Sequence, residues 1–373
     1  MNILYVTTIS QTVNSFFKPH IERLVKEGYH VDIACNDKDM ALDPLFKNLG
    51  CFCYCIDFSR TPFSKENIKA YGQLKKIVKQ GKYDIVHCHT PNASVIARLV
   101  CKKYRKENAL KVIYTAHGFH FYKGAPLKNW LLYYPVEKLC SHFTDKLITI
   151  NREDYELAQK KLGAKKTYYV PGVGIDLPKF QNDCTDRNVT REELGVPKDA
   201  LFLLSVGEVN ENKNHQIVIR ALAKLSRSDV HYAIAGIGGH RERLLALAKK
   251  LGVDDRVHLL GFRTDIPALN RAADIFCFPS IREGLGLAAV EAMACKTPVV
   301  AADNRGTRSF ITDGENGFLC KHDDVDAFEE AISTLSDDQE LREAFVKRGL
   351  ETVRAYSVNS VTDMLLAIYE DPV

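Results

Sequence analysis

Short apolar runs alternate with longer amphipathic stretches along the whole chain, and this alternation predicts the secondary structure. In the first half, runs rich in β-branched and aromatic residues are typical of buried strands. The predicted strands are residues 2–8, 29–34, 51–57, 84–89 and 111–116, and the predicted helices between them include 13–28 and 65–80. Strands separated by helices indicate right-handed βαβ units on a parallel sheet.

The alternation is interrupted by a polar stretch with prolines on either side, residues 178–199, which has the composition of a linker. It resumes with predicted strands at 201–206, 230–235, 256–260, 275–278 and 298–301, and a last amphipathic helix covers about 357–369. The sequence therefore predicts an α/β protein with two doubly wound, Rossmann-like domains, residues 1–178 and 179–356. The segment 357–373 is expected to pack back on the first domain.

Parallel sheets of this kind place ligands beyond the carboxyl ends of their strands. If the two sheets face each other, both sets of strand ends line one cleft. Candidate functional residues are therefore those in the loops that directly follow predicted strands.

Length and composition fit two globular domains, since the chain has 373 residues, of which 46% are hydrophobic and 26% charged. No run approaches the roughly 20 apolar residues of a membrane span, and the N-terminus lacks a basic leader with a cleavage site. We therefore expect a cytoplasmic protein. The 11 cysteines contain no Cys-x-x-Cys pair, so we interpret them as reduced, mostly buried thiols rather than metal ligands.

Charge is unevenly distributed between the two halves. Residues 1–180 contain 28 Lys and Arg against 16 Asp and Glu, a balance of +12, and the remainder has a balance of −8. A basic half predicts contact with an anionic membrane leaflet, a phosphorylated acceptor or nucleic acid, although solvated lysines explain it equally well. Two segments carry the basic residues beside apolar ones, Lys102, Lys103, Arg105 and Lys106 in one and the lysines around Trp130–Tyr134 in the other. A membrane-surface helix and an ordinary core-facing helix both fit the second segment.

The segment 280–294 follows a predicted strand and carries the strongest chemical signal. Gly284 and Gly286 favour a turn with accessible N–H groups, and a helix is predicted to begin at about Leu287, which creates an anion site suited to a diphosphate. Glu283 and Glu291 supply carboxylates, which accept hydrogen bonds from sugar or ribose hydroxyls. In a second loop after a strand, Gly207 marks the turn and Lys213 is predicted to start a helix, from which its ammonium group can reach a phosphate.

In the first half, His117 follows the predicted strand 111–116 and His120 lies three residues later. A neutral imidazole offers both a donor and an acceptor, which suits it to hold a hydroxyl. His87 and His89 alternate with Cys88 along another strand. Because alternation sends Cys88 to the opposite face, these three cannot bind one metal ion together, and we predict a structural or cleft role for His89.

Together these motifs resemble the retaining nucleotide-sugar glycosyltransferases of the two-domain GT-B fold, specifically the bacterial glycosyltransferase family 4. The hallmark of that family is two glutamates with seven residues between them, in a Glu-Gly-x-Gly-Leu … Glu-Ala-Met-Ala context, which matches residues 283–294. Residues 257–262, 273–280 and 313–319 are similar to the family as well. The resemblance is strong over 205–318 and looser over nearly the whole chain.

The resemblance implies a role for each matching residue. Glu283 would contact the donor sugar, Glu291 the ribose hydroxyls and Lys213 the diphosphate, while His117 would lie close to the transferring sugar and His120 on the acceptor side. The remaining donor-binding positions that it implies are Gly207, Gly261, Phe262, Gly284, Leu285, Gly286 and Leu287. It also implies a metal-independent reaction without a cofactor, with UDP as the nucleotide.

The chain departs from the family at two places. Many members carry a phosphate-binding arginine where this chain has Glu208, so Arg282 or the helix N-terminus would have to supply the second positive charge. Many also have paired glycines in the first loop, where this chain has Ser10, Gln11 and Thr12. Hydroxyl and amide groups there can still bind polar ligands.

The function expected from these observations is retaining transfer of a hexose or N-acetylhexosamine from a UDP-sugar to a glycan or lipid-linked saccharide in surface polysaccharide synthesis. The protein would lie in the cytoplasm, with peripheral contact to an anionic membrane as an open alternative. Other interpretations are a nucleotide-sugar epimerase of related fold, or a noncatalytic protein that binds nucleotide or membrane. Binding to nucleic acid is not expected, because no recognition module is apparent.

Overall fold

The computed structural model describes residues 1–107 and 110–372, without the side chains of Lys106 and Glu107. The chain forms two compact units. The first contains residues 1–174 together with the C-terminal segment from Val358 onward, and the second contains Ile175–Ser357. Each unit is built on one parallel sheet.

The first unit has a seven-stranded sheet with the order β3-β2-β1-β4-β5-β6-β7. Its strands are β1 Asn2–Ile9, β2 His30–Asn36, β3 Cys53–Cys55, β4 Ile85–His89, β5 Lys111–Ala116, β6 Lys146–Thr149 and β7 Lys166–Tyr169. Its helices up to the end of the sheet are α1 Ser10–Thr12, α2 Lys18–Lys26, α3 Pro44–Asn48, α4 Glu66–Gln80, α5 Pro91–Glu107, α6 Leu127–Ser141 and α7 Arg152–Lys161.

The second unit has a six-stranded sheet with the order β10-β9-β8-β11-β12-β13. Its strands are β8 Leu201–Val206, β9 Val230–Ala235, β10 Val257–Gly261, β11 Ile275–Phe278, β12 Val299–Ala302 and β13 Phe318–Cys320. Its helices are α8 Leu177–Gln181, α9 Arg187–Glu193, α10 Gln216–Lys224, α11 Arg241–Lys250, α12 Ile266–Ala272, α13 Leu287–Ala294, α14 Val325–Asp337 and α15 Gln339–Val353. The last helix of the chain, α16 Val358–Glu370, belongs to the first unit.

Helices cover both faces of the first sheet, which explains why its strands read as continuous apolar runs. One face packs against α4, α5 and α6 through residues such as Leu74, Ile96 and Trp130. The opposite face packs against α2 and α16 through residues such as Ile21 and Val361. The Tyr5 and Tyr369 hydroxyls are 2.7 Å apart and fix α16 to the centre of the sheet.

Residues 178–199 were predicted to be a linker, and this prediction is wrong, because they form α8 and α9 within the second unit. Asp186 caps α9 by accepting a hydrogen bond from the Asn188 N–H. Arg191 of α9 is buried, and its guanidinium donates to the Asp274 carboxylate at 2.6 Å. A polar sequence thus forms a helix, α9, that is stabilised by an internal ion pair. The predicted domain boundary at Pro178 falls inside α8.

The segment after β1 was predicted to be a loop followed by a helix from residue 13. In the structure the chain becomes helical directly at Ser10, continues through a π-helical segment at Val13–Phe17 and then enters α2. The prediction missed the strands β6, β7 and β13, which have only three or four residues each. Such strands are too short to show a periodicity, and two of them begin with lysine.

Most cysteines are buried, as expected, but Cys55 and Cys184 are exposed. Cys51 lies before the short strand β3 rather than on it. All 11 thiols are free in the structure.

Candidate functional site

Three loops of the second unit meet through their glycines at the carboxyl ends of β8, β9 and β10. The Gly207 N–H donates to the Ala235 carbonyl at 3.0 Å, and the Val209 N–H donates to the Ile237 carbonyl at 2.9 Å. A Cβ atom on Gly236 would lie 1.8 Å from the Gly207 carbonyl oxygen. Only glycine permits this approach of two backbones, which aligns the loop that carries Lys213.

Lys213 lies in a turn three residues before α10, which begins at Gln216, so the prediction that Lys213 starts a helix is wrong. The Lys213 N–H donates to the Asn210 side chain at 3.0 Å. Its ammonium group donates to Glu283 Oε1 at 2.7 Å and lies 5.2 Å from the centre of the Phe278 ring. The structure thus brings together the two residues predicted to hold the diphosphate and the sugar.

Direct hydrogen bonds join the loop after β8 to the loop after β11. The Ile281 N–H donates to the Asn212 carbonyl at 2.8 Å, and the Asn212 side chain donates to the Arg282 carbonyl at 3.0 Å. The Arg282 side chain is exposed. These bonds hold the backbone at both ends of the Lys213–Glu283 pair.

Helix α13 begins at Leu287, as predicted, and its N-cap Gly286 has a φ of 109°. A Cβ atom on Gly286 would lie 2.8 Å from the Phe278 ring, so both its conformation and its packing require glycine. Leu285 is buried, whereas Gly284 and Leu287 are half-buried. The positive end of the α13 dipole therefore lies directly after the Glu283 loop, where it favours an anionic group.

Glu291 lies one turn into α13 and is largely buried. The pKa of Glu291 is raised to about 7. Burial is the larger effect and raises the pKa, and the positive charge of Lys179 opposes it without cancelling it. Lys179 is part of α8, a helix that was not predicted. Glu291 therefore titrates near neutral pH, with a nearby lysine that favours its charged form.

The loop after β12 packs against the Glu283 loop, and none of its residues was predicted from the sequence. A Cβ atom on Gly306 would lie 2.8 Å from the Glu283 Cβ and 2.6 Å from the Leu285 carbonyl oxygen. The Asn304 side chain donates to the Ser280 carbonyl at 2.9 Å. The signal was available, because Asn304 and Gly306 follow a predicted strand in the same way as the other candidate residues.

The remaining predicted residues of this unit lie at the same edge of the sheet. Gly261 ends β10 with a φ of 71° and pairs with Gly236, and Phe262 is 74% exposed. Glu208 is exposed, and its carboxylate accepts a hydrogen bond from Asn210 at 2.9 Å. Glu208 thus stabilises its own turn and does not replace the phosphate-binding arginine that many family members carry at this position.

In the first unit, His117 follows β5 and forms a hydrogen bond with His89, the last residue of β4. The two nitrogens, His117 Nε2 and His89 Nδ1, are 3.2 Å apart. Burial lowers the pKa of His117 to about 4, and it lowers the pKa of His89 well below its usual value. Both rings are therefore neutral at neutral pH, and His117 acts as a donor or acceptor rather than a cation.

The hydrogen bonding of His89 indicates which nitrogen of His117 carries the proton. Within the described part of the chain, His89 Nε2 is buried and has no hydrogen-bond partner. A buried N–H without a partner is rarer than a buried acceptor without one. The proton of His89 therefore belongs on Nδ1, where it is donated to His117 Nε2, and His117 carries its own proton on Nδ1.

The other predicted residues of the first unit have structural contacts. His87 bonds to the Tyr369 hydroxyl at 2.6 Å and to Thr115 at 2.8 Å, in the core. His120 stacks on Tyr133 with ring centres 4.5 Å apart. The buried Ser10 hydroxyl donates to the Met40 carbonyl, so its proton is already engaged within the protein. Thr12 is half-buried on the helical segment.

One face of α6 is packed against the core and the other is exposed. The core-facing and membrane-surface interpretations of residues 130–134 therefore each fit one face of the helix. Trp130, Tyr133 and Tyr134 pack against the core of the first unit, whereas Leu131 and Leu132 are exposed. In the other basic segment Arg105 donates to Asp145 at 2.8 Å and Lys102 lies over the Phe143 ring, while the Lys106 side chain lies outside the described residues.

Two kinds of feature are absent from the described residues. None of their helices is long and apolar enough to cross a membrane. Residues 1–107 and 110–372 also contain no group of three or more His, Cys, Asp or Glu arranged to hold a metal ion.

Comparison with known proteins identifies the family. Residues 186–352 match the family described as glycosyl transferases group 1, and residues 2–151 match the family described as glycosyl transferase 4-like. The chain is 39% identical to the glycosyltransferase EpsD of Bacillus subtilis over 98% of its own length and 96% of that protein. The chain belongs to the group 1 glycosyltransferases. This glycosyltransferase is also 26% identical to an Escherichia coli protein named UDP-Gal:alpha-D-GlcNAc-diphosphoundecaprenol alpha-1,3-galactosyltransferase, over 94% of this chain and 92% of the relative.

Solved structures confirm the predicted GT-B fold of this glycosyltransferase. HepE of Anabaena, solved in complex with UDP, matches with a TM-score of 0.82 and 21% identity over 99% of both chains. WaaG, a glycosyltransferase involved in lipopolysaccharide biosynthesis, matches with a TM-score of 0.76 and 18% identity over 100% of both chains.

Proposed function

We propose that this glycosyltransferase transfers a hexose or N-acetylhexosamine from a UDP-sugar to a glycan or lipid-linked saccharide, with retention of the anomeric configuration, in surface polysaccharide synthesis. The observation that carries the proposal is the Lys213–Glu283 pair, whose charged atoms lie 2.7 Å apart directly before the N-terminus of α13. A cation and a helix N-terminus suit a diphosphate, and a carboxylate beside them suits sugar hydroxyls.

Two relatives support the choice of a UDP-sugar and of a lipid-linked acceptor. HepE has been solved with UDP-glucose as well as with UDP. The name of the Escherichia coli relative describes transfer from UDP-galactose to a sugar linked to diphosphoundecaprenol. WaaG is a glycosyltransferase involved in lipopolysaccharide biosynthesis, which supports the choice of surface polysaccharide synthesis.

In the proposed reaction, the bond between the sugar and the UDP diphosphate breaks while a bond to an acceptor hydroxyl forms. Negative charge develops on the diphosphate, and Lys213 together with the α13 N-terminus stabilises it. The departing phosphate takes the proton of the acceptor hydroxyl, so no protein nucleophile and no metal ion is required. Glu283 holds the hydroxyls of the donor sugar, and Glu291 holds those of the ribose.

His117 would hold a hydroxyl of the transferring sugar. Its neutral ring keeps an N–H on Nδ1 because His89 donates to its Nε2. A neutral donor can bind a hydroxyl without opposing the positive charge of the oxocarbenium-like transition state.

The test is a transfer assay with a panel of UDP-sugars and membrane lipid extract, in the presence of a metal chelator. The proposal predicts release of UDP, and NMR of the product should show the anomeric configuration of the donor. Glu283→Ala should abolish transfer, whereas Lys224→Ala, which breaks a surface pair with Asp326, should leave it unchanged. Full transfer by Glu283→Ala, an inverted product or a requirement for a metal would each contradict the corresponding part of the proposal.

A further inference from the structure

The first unit contains an apolar cavity of about 320 Å³ between α6, the start of α5 and the loop that precedes α4. Its walls are mainly aliphatic and aromatic, including Phe63, Ile96, Phe121, Leu132, Tyr133 and Val136. Gly118 and His120 line it as well, so the cavity lies within the loop that follows His117. A ligand in this cavity would therefore continue directly from a group held at His117.

The two asparagines in the walls of the cavity already have partners within the protein. The Asn67 amide donates to the carbonyls of Thr61 and Pro62, and the Asn92 amide donates to the carbonyls of Ser59 and Arg60. A sugar ring requires hydrogen bonds from its surroundings, and these amides are committed elsewhere. The cavity therefore favours a hydrocarbon over a saccharide.

Glu137 lines the cavity and belongs to an ion pair that is complete without a ligand. Arg98 is fully buried and donates to both carboxylate oxygens of Glu137, at 2.9 and 3.0 Å, while its guanidinium lies 4.2 Å from the centre of the Tyr114 ring. Glu137 is the only acidic residue of α6. Because Arg98 neutralises Glu137, this carboxylate presents no net charge that would repel a hydrocarbon chain.

The mouth of the cavity continues into an exposed apolar surface, and the segments that form it also carry exposed basic residues. Phe63 is 93% exposed, and Leu132 and Val136 are exposed at the opposite wall. Leu131 and Leu139 extend this apolar surface along α6. The exposed basic residues of the same segments are Arg60, Lys65, Lys123, Lys128 and Lys138. An apolar mouth formed by segments with exposed basic residues is complementary to an anionic lipid.

We propose that this cavity binds the hydrocarbon chain of the acceptor, an anionic phosphate- or diphosphate-linked lipid, and so presents its sugar to His117. This inference rests on the proposed function and extends it to the class of acceptor. The hydrocarbon chain enters between Phe63 and Val136, and exposed basic residues of the same segments hold the phosphate.

The single tryptophan of the chain provides a local reporter. Trp130 packs against Phe121, with ring centres 5.5 Å apart, and Phe121 lines the cavity. Undecyl phosphate with a bromine at the chain terminus should quench Trp130 fluorescence saturably, whereas inorganic phosphate should not. In a series of alkyl phosphates, the Kd should fall about fourfold with each added methylene until the cavity is filled. Absence of saturable quenching, or a Kd independent of chain length, would overturn the proposal.

Two variants on the same helix separate entry into the cavity from adsorption to its surface. Val136 lines the cavity and Leu139 does not, while both are exposed. Val136→Asp should weaken binding of the bromine-labelled probe at least tenfold, and Leu139→Asp should change it less than twofold. Val95→Phe, which fills the cavity from α5, should weaken it similarly. The unfolding temperature and UDP binding of each variant show whether it is folded.

An equal loss with both aspartate variants would mean that the probe adsorbs to α6, and would overturn the proposal. A dimer that Val136→Asp dissociates, together with no quenching, would assign the surface to a second copy of the chain. Quenching is measured without any transfer reaction. Saturable quenching without transfer of any sugar would therefore refute the proposed function alone, and transfer without quenching would refute the cavity assignment alone.

Discussion

The ammonium group of Lys213 donates a hydrogen bond of 2.7 Å to the Glu283 carboxylate, although the two residues are 70 positions apart in the chain. Each comes from a loop that follows a strand, and β8 and β11 are neighbours in the sheet. A diphosphate carries more negative charge than one carboxylate, so it would compete with Glu283 for Lys213. The pair thereby links binding of the diphosphate to the orientation of the carboxylate that is proposed to hold the sugar.

Glycine at position 286 should stabilise the conformation of the α13 N-terminus. Gly286→Ala places a Cβ atom 2.8 Å from the Phe278 ring at a φ of 109°, so we expect a loss of about 1–3 kcal/mol in the free energy of unfolding and weaker UDP binding. Gly314→Ala is the matched control, because Gly314 also has a positive φ but nothing lies within 4 Å of its Cβ position. Chemical denaturation should show the smaller loss for Gly314→Ala, without an effect on UDP. Equal effects would mean that Phe278 does not constrain the turn.

Affinity for the donor should depend on pH through Glu291, whose pKa is raised to about 7 by burial. The ionised carboxylate accepts two hydrogen bonds from ribose hydroxyls, whereas the protonated form is a weaker acceptor. The Kd for UDP should therefore increase as the pH falls through 7, and Glu291→Gln should have a weaker affinity that changes little with pH. Calorimetric titration between pH 6 and 8 measures this. An unchanged pH dependence in Glu291→Gln would show that another group is responsible.

The same shift predicts the effect of Glu291 on stability. Between its ordinary pKa of 4.5 and its folded-state value of about 7, the folded protein keeps a proton that the unfolded chain has lost. The contribution of Glu291 to stability should therefore decrease as the pH rises through this range. Glu291→Gln removes the contribution, so its unfolding temperature should rise relative to the wild type as the pH increases.

His117 should affect turnover rather than nucleotide binding. His117→Ala removes a hydrogen bond proposed to hold the transferring sugar, so we expect kcat to fall about ten- to a hundredfold. The Kd for UDP should stay within twofold, because Lys213, Glu291 and the α13 N-terminus, which are proposed to bind UDP, belong to the second unit. His30→Gln is the control, since His30 is exposed at the amino end of β2. An altered Kd for UDP with an unchanged kcat would contradict the assignment.

The buried pair of Arg98 and Glu137 should stabilise the first unit only when both partners are present. Arg98→Met leaves Glu137 buried without its partner and should cost about 3–5 kcal/mol in the free energy of unfolding. The double variant Arg98→Met/Glu137→Leu should recover much of this loss. Chemical denaturation of the two variants measures the difference. Equal stability of the single and double variants would show that Glu137 is solvated in the absence of Arg98.

The sequence predicted the residues that follow strands because both sheets are parallel and the strands are apolar. Gly207, Lys213, Glu283 and Gly286 all lie at the edge where the strand pattern located them. The pattern did not reveal α9, because its buried Arg191 looks polar in the sequence and becomes neutralised only by Asp274 in the folded chain. The contact of Gly306 with the Glu283 loop was equally hidden, since it depends on packing between two loops.

The histidines show the same limit in the first unit. Alternation along β4 correctly separated His87 and His89 from Cys88. The alternation could not show that His87 bonds to Tyr369, more than 280 positions away, or that His89 determines the tautomer of His117. Such roles depend on contacts between segments that are far apart in the chain, and the periodicity of the sequence does not predict these contacts.

The most direct test of the donor site is a calorimetric titration of UDP into the wild type, Lys213→Ala and Glu283→Gln at one pH, with Lys224→Ala as a lysine control. Lys213→Ala should weaken binding about ten- to a hundredfold, because it removes a charged hydrogen bond to the diphosphate. Glu283→Gln should bind UDP at least as tightly as the wild type, because it releases Lys213, and should fail to transfer sugar. Unchanged UDP affinity in Lys213→Ala, or weaker UDP affinity in Glu283→Gln, would contradict the account.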